Sequence, residues 1–207
     1  MNRRRLAVLL SGRGSNMQAL AEAARDPDYP AEIALVVTSN PSAPGLEWAR
    51  EQRLPTRLIE HAPYGGEREA HERKLNAALI AANIELLALA GWMRVFTPWF
   101  VGAWRGRMLN IHPSLLPAFP GLHTHRRAIE AGVRLHGCTV HVVTEGVDDG
   151  PILGQAAVPV LEGDTEDTLG ARVLAAEHRL YPACLGRFIA GGGVEPSADA
   201  RISNPAV

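Results

Sequence analysis

Residues 6–23 read LAVLLSGRGSNMQALAEA and contain the pattern that decides the fold class. Residues 6–10 form a continuous apolar run of strand length, which is typical of a strand buried in a parallel sheet. A glycine-rich break follows, and residues 17–24 then have the spacing of a helix, with Ser15 or Asn16 as the expected N-cap. The stretch therefore predicts a strand, a tight loop and a helix, which is the repeating unit of an α/β fold.

The same alternation continues along the chain. Further strands are predicted over residues 33–37, 56–59, 84–90 and 107–111, and further helices over residues 46–53, 67–83 and 98–104. This order predicts parallel strands joined by right-handed crossovers. Residues 136–144 alternate instead, and with residues 153–160 they predict a hairpin-like or mixed-sheet addition. A long final helix is expected over residues 164–188, with Asp164 or Thr165 as its cap.

Length and composition describe an ordinary globular chain of 207 residues, 46% hydrophobic and 21% charged, with a formal net charge of −1. We expect one domain over residues 1–190 and a loose tail over residues 191–207. The near-neutral charge gives no general field for nucleic acid, and no apolar run reaches the ~18 residues of a membrane span. Cys138 and Cys184 lack metal-type spacing and are expected to be buried free thiols. These features predict a cytoplasmic protein without a nucleic-acid or membrane partner.

The loop SGRGSN, residues 11–16, stands between a strand and a helix, where backbone N–H groups suit a phosphate. A dinucleotide-binding loop is the main rival. It would need glycine in place of Met17, and the second strand ends in TSN, residues 38–40, without the acid that binds a ribose. The loop therefore favours a mononucleotide or sugar phosphate, while a tight turn without a ligand stays open as the alternative.

Residues 109–127 read LNIHPSLLPAFPGLHTHRR and follow the fifth predicted strand. Asn110 and His112 are two residues apart, so their side chains project to the same side of an extended chain. The carboxyl end of a parallel strand is the usual ligand position in an α/β sheet. An amide beside an imidazole can stabilise an oxyanion and move a proton, and Pro113 restricts His112 to extended backbone.

A catalytic histidine needs a partner, and the sequence TEGVDDGP offers Asp148 and Asp149 at the end of the alternating strand. A carboxylate near His112 favours the imidazolium. Taken singly, Asn-x-His is also typical of a polar pair that closes a strand, and Asp-Asp-Gly-Pro of a turn. Their position at two strand ends favours chemistry, while the spacing leaves open whether they meet. His123 and His125 rank below His112, since capping, surface or lining roles compete at the start of a helix.

Five segments occur in the order SGRGSN, LAGWMRVFTPWFV, LNIHPSLLPAFPGLHTHRRAIEAG, HGCTVHVVTEGVDDGPIL and AAEHRLYP. Together they resemble the folate-dependent phosphoribosylglycinamide formyltransferases of de novo purine synthesis, over nearly the whole chain. The Asn-x-His-Pro-Ser-Leu-Leu-Pro motif is shared by folate formyltransferases more widely, whereas the glycine loop and Pro-Gly-Leu-His-Thr-His are more particular to the glycinamide enzymes. The resemblance implies a Rossmann-like three-layer formyltransferase fold, with a mostly parallel sheet and an antiparallel addition in the C-terminal half.

The resemblance also implies an activity: transfer of the formyl group of 10-formyltetrahydrofolate to the amine of 5′-phosphoribosylglycinamide, giving formylglycinamide ribonucleotide and tetrahydrofolate, without a metal. It assigns catalysis to Asn110, His112 and Asp148. It assigns substrate binding to Gly14, Ser15, Asn16 and Glu177. It assigns the formyl-folate to Arg68, Met93, Arg94, Val95, Phe96, Asn110, Thr144, Glu145, Gly146, Val147 and Asp148. The protein is expected to be a monomer or a homodimer.

Two residues depart from the family pattern. Asp149 stands where the family usually has a small residue, so its carboxylate either disturbs the catalytic trio or faces solvent. Arg13 is at a variable position and can add to phosphate binding. Three alternatives stay open. A methionyl-tRNA or sugar-nucleotide formyltransferase is expected to continue into a further domain. A formyl-folate hydrolase is expected to carry an additional N-terminal domain. A non-catalytic phosphate-binding module would be inactive through Asp149.

Overall fold

The computed structural model describes residues 3–191, and within that range the chain forms seven strands and six α-helices. The strands are β1 (Arg4–Leu10), β2 (Ala31–Thr38), β3 (Thr56–Leu58), β4 (Leu86–Leu89), β5 (Met108–His112), β6 (Leu135–Val142) and β7 (Ile152–Pro159). The helices are α1 (Ser15–Ala23), α2 (Pro44–Glu51), α3 (Arg68–Ala81), α4 (Pro98–Ala103), α5 (Thr124–Glu130) and α6 (Glu166–Ala190), and a 3₁₀ helix covers Ala62–Tyr64. The predicted tail lies, from residue 192 onward, outside the described residues. Among the described helices, none combines the length and apolar character that a membrane crossing requires.

The strands form one sheet in the order β3-β2-β1-β4-β5-β6-β7. β1 pairs in parallel with β2 and β4, with Leu6 opposite Ile33 and Leu86. β6 and β7 pair antiparallel, with Cys138 opposite Ala156. The predicted fold class, a mostly parallel sheet with an antiparallel addition in the C-terminal half, is confirmed.

β6 shows that its sequence alternation does not mark a solvent face. Seven of its eight residues are buried, and α6 packs on both β6 and β7. The apolar residues Cys138 and Val140 alternate with Thr139 and His141, which are also buried. Buried polar groups require hydrogen-bond partners, so the polar face of β6 must be covered by groups that can donate and accept.

The chain divides into two compact units, with the boundary between Leu109 and Asn110, inside β5. We call them the N-terminal unit, described from residue 3, and the C-terminal unit, described to residue 191. The glycine loop and residues 68 and 93–96 belong to the N-terminal unit, whereas Asn110 and all later assigned residues belong to the C-terminal unit. The single domain expected over residues 1–190 stays a prediction.

The start of α1 differs from the prediction. Gly14, and not Ser15 or Asn16, is the N-cap, with φ at 73° in the left-handed region. A Cβ at Gly14 would also lie 3.1–3.3 Å from atoms of Met17, Gly45 and Leu10. The usual preference for Ser or Asn at an N-cap is therefore overridden, because only glycine combines this backbone conformation with this close packing.

Gly45, in the first turn of α2, packs directly against the backbone of the glycine loop. Its N–H donates to Gly12 O at 3.1 Å. A Cβ at Gly45 would lie 3.0 Å from Arg13 O and 3.1 Å from Gly12 O. These are backbone atoms, so a side chain at position 45 must displace the glycine loop.

We predict that Gly45→Ala lowers the free energy of unfolding by about 1–3 kcal/mol, the usual effect of overpacking. Gly102→Ala in α4 is the matched control, because a Cβ at Gly102 meets nothing within 4 Å. That variant should be neutral or gain up to about 1 kcal/mol from the helix propensity of alanine. Urea denaturation of both variants tests this, and equal stabilities would contradict the crowding at Gly45.

Candidate active site

The glycine loop, residues 11–16, presents backbone N–H groups at the start of α1. The first helical hydrogen bond runs from Gln18 N–H to Gly14 O at 2.9 Å. The backbone N–H groups before Gln18 have no acceptor within the helix, as at every helix N-terminus. Gly14 has no side chain that could accept from them. The first turn reads SNMQ, which adds no acid against the positive end of the helix. The exposed Arg13 adds a positive charge beside it. This arrangement suits an anion.

Residues 91–97, which contain four of the positions assigned to folate, are fixed at both ends. Ser11 Oγ accepts Met93 N–H at 3.1 Å, and Ser11 N–H donates to Gly91 O at 3.1 Å. At the other end, the buried Glu72 carboxylate accepts Thr97 N–H at 2.9 Å and also the Thr97 hydroxyl. The backbone of residues 91–97 is therefore fixed at both ends. Its N-terminal end is fixed by Ser11 of the glycine loop.

The side chains of this segment point in different directions. Met93 is 67% exposed and Val95 is 54% exposed. Phe96 is instead buried and stacks between Trp92 and Phe100, so it belongs to the core. Two apolar side chains in this segment are thus available for a ligand, and Phe96 is limited to backbone contacts.

Arg68 and Arg94 add positive charge to the N-terminal unit. Arg68 is exposed at the start of α3, and its Nη1 lies 3.5 Å from Val95 O. Arg94 is close enough to the buried His71 to contribute to the lowered pKa of His71, after desolvation by burial and against the raising effect of the Ile59 carbonyl. Both guanidinium groups suit the carboxylates or phosphates of an anionic ligand.

The structure brings Asn110, His112 and Asp148 together in the C-terminal unit. His112 Nδ1 lies 3.3 Å from Asp148 Oδ2, with the two side chains only 7% and 12% exposed. His112 Nε2 lies 3.0 Å from Phe119 O. Both ring nitrogens therefore face oxygen acceptors, an arrangement that a doubly protonated imidazole satisfies with two N–H donors.

Asp148 occupies a strained turn that its partners stabilise. Its φ of 55° is in the left-handed region, which Asp adopts more readily than most residues. Gly121 N–H donates to Asp148 Oδ2 at 2.9 Å, and Asp148 Oδ1 lies 3.7 Å from His141 Nε2. The carboxylate is thereby held by His112 on β5, His141 on β6 and the backbone of the loop that follows β5.

Asp149 does not share the position of Asp148. It is exposed, and its Oδ1 accepts the Thr144 hydroxyl at 2.5 Å. Its carboxylate lies over Gly146, where a Cβ would come within 2.1 Å of Asp149 Oδ2. The additional carboxylate of Asp149 therefore forms a hydrogen bond within the turn that contains it, with Thr144. Val147 at the tip of this turn is 56% exposed.

A buried hydroxyl holds the loop between Pro113 and the exposed N-cap residue His123. Thr139 Oγ1 donates to Ser114 O at 2.7 Å and accepts Leu116 N–H at 3.0 Å. Gln155 Nε2 donates to Thr139 Oγ1 at 3.0 Å and to Leu116 O at 2.8 Å. The peptide bond between Leu116 and Pro117 is cis. The polar face of β6 is thus covered by this loop.

The residue that sequence reasoning missed is His141, which contacts two members of the trio. Its Nε2 lies 3.1 Å from Asn110 Nδ2, and its Nδ1 lies 3.1 Å from Val142 O. Burial lowers its pKa, although the Val142 carbonyl and Asp148 act in the opposite direction. The sequence signal that could have identified His141 is its position between Val140 and Val142 on a predicted strand, because a histidine buried on a strand needs polar partners.

Glu177 is a buried carboxylate on α6. After desolvation by burial, its charge is the next cause of the raised pKa of Cys138 on β6. Burial likewise raises the pKa of Cys184 to about 12, so both thiols stay protonated and inert, as expected for buried free cysteines. Within residues 3–191, no group of three or more His, Cys, Asp or Glu side chains is arranged to hold a metal ion.

Residues 4–185 match the model of the Formyl transferase family. The chain belongs to this formyl transferase family. It is 42% identical over 186 residues to phosphoribosylglycinamide formyltransferase of Escherichia coli (strain K12), a match that covers 90% of this chain and 87% of that protein. The crystal structure of phosphoribosylglycinamide formyltransferase from Brucella melitensis is similar with a TM-score of 0.87 and 52% identity, covering 92% of this chain and 97% of that one. The predicted family is confirmed.

A longer relative also contains a matching region. Trifunctional purine biosynthetic protein adenosine-3 of Drosophila melanogaster is 47% identical over 191 residues. The match covers 91% of this chain but only 14% of that relative. The present formyl transferase chain therefore spans a small part of the curated relatives of this type.

His125 on α5 and His136 on β6 form a second pair of histidines in the C-terminal unit of this formyl transferase. His125 Nδ1 lies 3.1 Å from His136 Nε2, with their rings edge to face. Burial, and next the charge of His125, lower the pKa of His136 from 6.5 to about 4. Burial also lowers the pKa of His125. The neutral form of both rings is therefore favoured near neutral pH.

We predict an acid-dependent loss of stability from His136. Its pKa is lower in the folded chain than in the unfolded chain, so the unfolded chain binds the extra proton between about pH 6.5 and 4. The stabilising contribution is complete above about pH 6.5, falls by roughly 3 kcal/mol across this window, and is constant below it. Urea denaturation at several pH values should give a steeper dependence for the wild type than for His136→Gln.

The exposed His123 provides the control for this titration. His123 has a φ of 56°, which Asn tolerates, so His123→Asn should keep the wild-type pH dependence. Identical slopes for the wild type and His136→Gln would show that His136 titrates normally in the folded protein.

Proposed function

We propose that this formyl transferase moves the formyl group of 10-formyltetrahydrofolate onto the amine of 5′-phosphoribosylglycinamide. The products are formylglycinamide ribonucleotide and tetrahydrofolate, an intermediate and a by-product of de novo purine (IMP) biosynthesis. The observation that carries the proposal is the buried contact of His112 Nδ1 with Asp148 Oδ2 at 3.3 Å, with Asn110 two residues away on the same strand. An amide donor and an imidazole that is paired with a carboxylate, both at one strand end, match the needs of acyl transfer between nitrogens.

The roles of the trio follow the charges of the reaction. The substrate amine forms a bond to the formyl carbon, whose oxygen becomes negative while the nitrogen becomes positive. Asn110 and His112 donate hydrogen bonds to this oxygen, and Asp148 stabilises the imidazolium and orients it. The carbon–N10 bond then breaks, and the proton lost by the amine reaches N10 directly or through water. Because no water has to be ionised, the proposal includes no metal.

The Phe119 carbonyl has a role in this mechanism. It accepts the Nε2–H of His112 at 3.0 Å, so the donor is held and already oriented before the reaction. A developing oxyanion is a stronger acceptor than a peptide carbonyl, because hydrogen bonds to charged groups are about twice as strong. His112 thus exchanges a neutral acceptor for the charged one as the barrier is crossed, which stabilises the transition state selectively.

Binding is assigned to groups in each unit. Gly14, Ser15 and Asn16 are proposed to bind the substrate phosphate with the N–H groups at the start of α1, and Glu177 is proposed as a further contact. Met93 and Val95 in the N-terminal unit, and Val147 in the C-terminal unit, are exposed apolar side chains and are each proposed as a folate contact. The remaining folate contacts are proposed at Arg68, Arg94, Phe96, Thr144, Glu145 and Gly146. A cytoplasmic location and a monomeric or homodimeric state stay predictions.

We predict that His112→Ala lowers kcat/KM for formyl transfer by roughly 10²–10⁴-fold, because both a donor and a proton-transfer group are lost. The assay mixes 10-formyltetrahydrofolate with 5′-phosphoribosylglycinamide and follows tetrahydrofolate release, and near-wild-type activity is expected for His123→Asn. Equal losses in both variants would remove His112 from the centre of the mechanism. Release that does not need the amine would instead indicate a hydrolase.

We predict that the phosphate of the substrate contributes at least about 1.5 kcal/mol of binding, the value of one hydrogen bond to a charged group. Calorimetric titration should then give a Kd about tenfold or more weaker for the dephosphorylated nucleoside than for 5′-phosphoribosylglycinamide. The difference should shrink at high salt, because the contact is ionic. Indistinguishable affinities would contradict a phosphate site at the glycine loop.

A further inference from the structure

His141 has one unambiguous hydrogen-bond partner, which fixes the positions of its protons. The residue is 2% exposed on β6, and its Nδ1 lies 3.1 Å from the Val142 carbonyl. A carbonyl oxygen only accepts, so Nδ1 must carry a hydrogen. A neutral imidazole has a single N–H, which leaves Nε2 with a lone pair. His141 therefore acts as an acceptor toward whatever faces Nε2.

The group that faces Nε2 is the side-chain amide of Asn110, 3.1 Å away. The two ends of a carboxamide have nearly the same shape, but only Nδ2 can donate to a lone pair. Nδ2 carries two hydrogens, and only one is used by His141. We propose that His141 is a positioning residue that sets the amide of Asn110 so that its second Nδ2–H, and not its oxygen, is offered to the formyl group. This inference rests on the proposed function.

The assignment requires His141 to stay neutral in a charged neighbourhood. Burial lowers its pKa, and the charge of His112 acts in the same direction. The Val142 carbonyl, Asp148 and, last, Asp149 oppose this. Burial is the largest of these effects, so the neutral ring is favoured near neutral pH.

A protonated His141 would reverse the arrangement. Its Nε2 would become a donor, and Asp148 Oδ1, 3.7 Å away, would be the nearest charged acceptor. Asn110 would then have to turn its oxygen toward His141 or lose the contact. With the neutral tautomer, His141 does not donate to Asp148, so His112 is the histidine that pairs with this carboxylate.

The first test measures the tautomer and needs no activity. In ¹⁵N-histidine-labelled protein at neutral pH, two-bond ¹H–¹⁵N spectra assigned with His141→Gln should show a protonated Nδ1 and an unprotonated Nε2. Shifts that show a protonated Nε2, in either the neutral or the charged ring, would overturn the proposal.

The second test asks whether His141 acts through Asn110. His141→Leu removes the acceptor and should lower kcat roughly 10–10³-fold with a smaller change in KM, the effect of a lost oxyanion donor. Combined with Asn110→Ala, it should add little further loss, because both changes remove the same interaction. Losses that multiply would overturn the proposal and indicate a general structural role.

Two further variants separate positioning from folding. His141→Gln keeps a side-chain oxygen that can accept from Asn110 and should recover most of the kcat that His141→Leu loses. His71→Leu removes another buried histidine bonded to a backbone carbonyl, at 2.8 Å from Ile59 O. Its effect should multiply with that of Asn110→Ala. If His141→Gln is no better than His141→Leu, the acceptor role is wrong.

The proposed function is tested separately by the wild type. Without formyl transfer by the wild type, the proposed function fails and the positioning role fails with it, while the nitrogen shifts still decide the tautomer. With wild-type transfer, only the variants and the shifts decide the role of His141.

Discussion

The buried pairing of His112 with Asp148 is the constraint on which the rest of the candidate site depends. Two groups that can carry charge meet at 3.3 Å with almost no exposure to solvent. Such a pair is costly unless every remaining donor and acceptor has a partner. Gly121 N–H supplies one on the carboxylate side, and the Phe119 carbonyl supplies one on the imidazole side. Both come from the loop that follows β5.

This dependence explains why the loop is so strongly held. Phe119 has a φ of 54°, which is an unfavourable conformation for a residue with a side chain, whereas Gly121 adopts its φ of 76° without that cost. Thr139 fixes the start of the same loop, because its hydroxyl donates one hydrogen bond and accepts two. A site that relies on two hydrogen bonds from a loop gains from this anchoring, since small displacements weaken both bonds together.

Much of this could be predicted from the sequence, for a physical reason. Buried parallel strands are read from continuous apolar runs, and Asn110 and His112 share a side through the two-residue repeat of a strand. The predicted N-cap of α1 was wrong because Gly14 combines a positive φ with close packing, in part against Gly45, which lies 31 positions later in the chain. Asp148 and Asp149 have the same side chain, so the sequence does not show which of them has the positive φ that accompanies the contact with His112.

His141 and His112 show why residue type alone does not identify a role. His112 faces two oxygen acceptors, whereas His141 faces one acceptor and one amide donor. The first arrangement is satisfied by two N–H donors, and the second by one N–H donor and one lone pair. Both rings approach Asp148, at 3.3 Å and 3.7 Å, so the carboxylate alone cannot distinguish them. The difference comes from the backbone carbonyl of Phe119 and the amide of Asn110, which are in place only after the chain has folded. The environment, and not the residue type, therefore gives different hydrogen-bonding roles to two histidines that lie on adjacent strands.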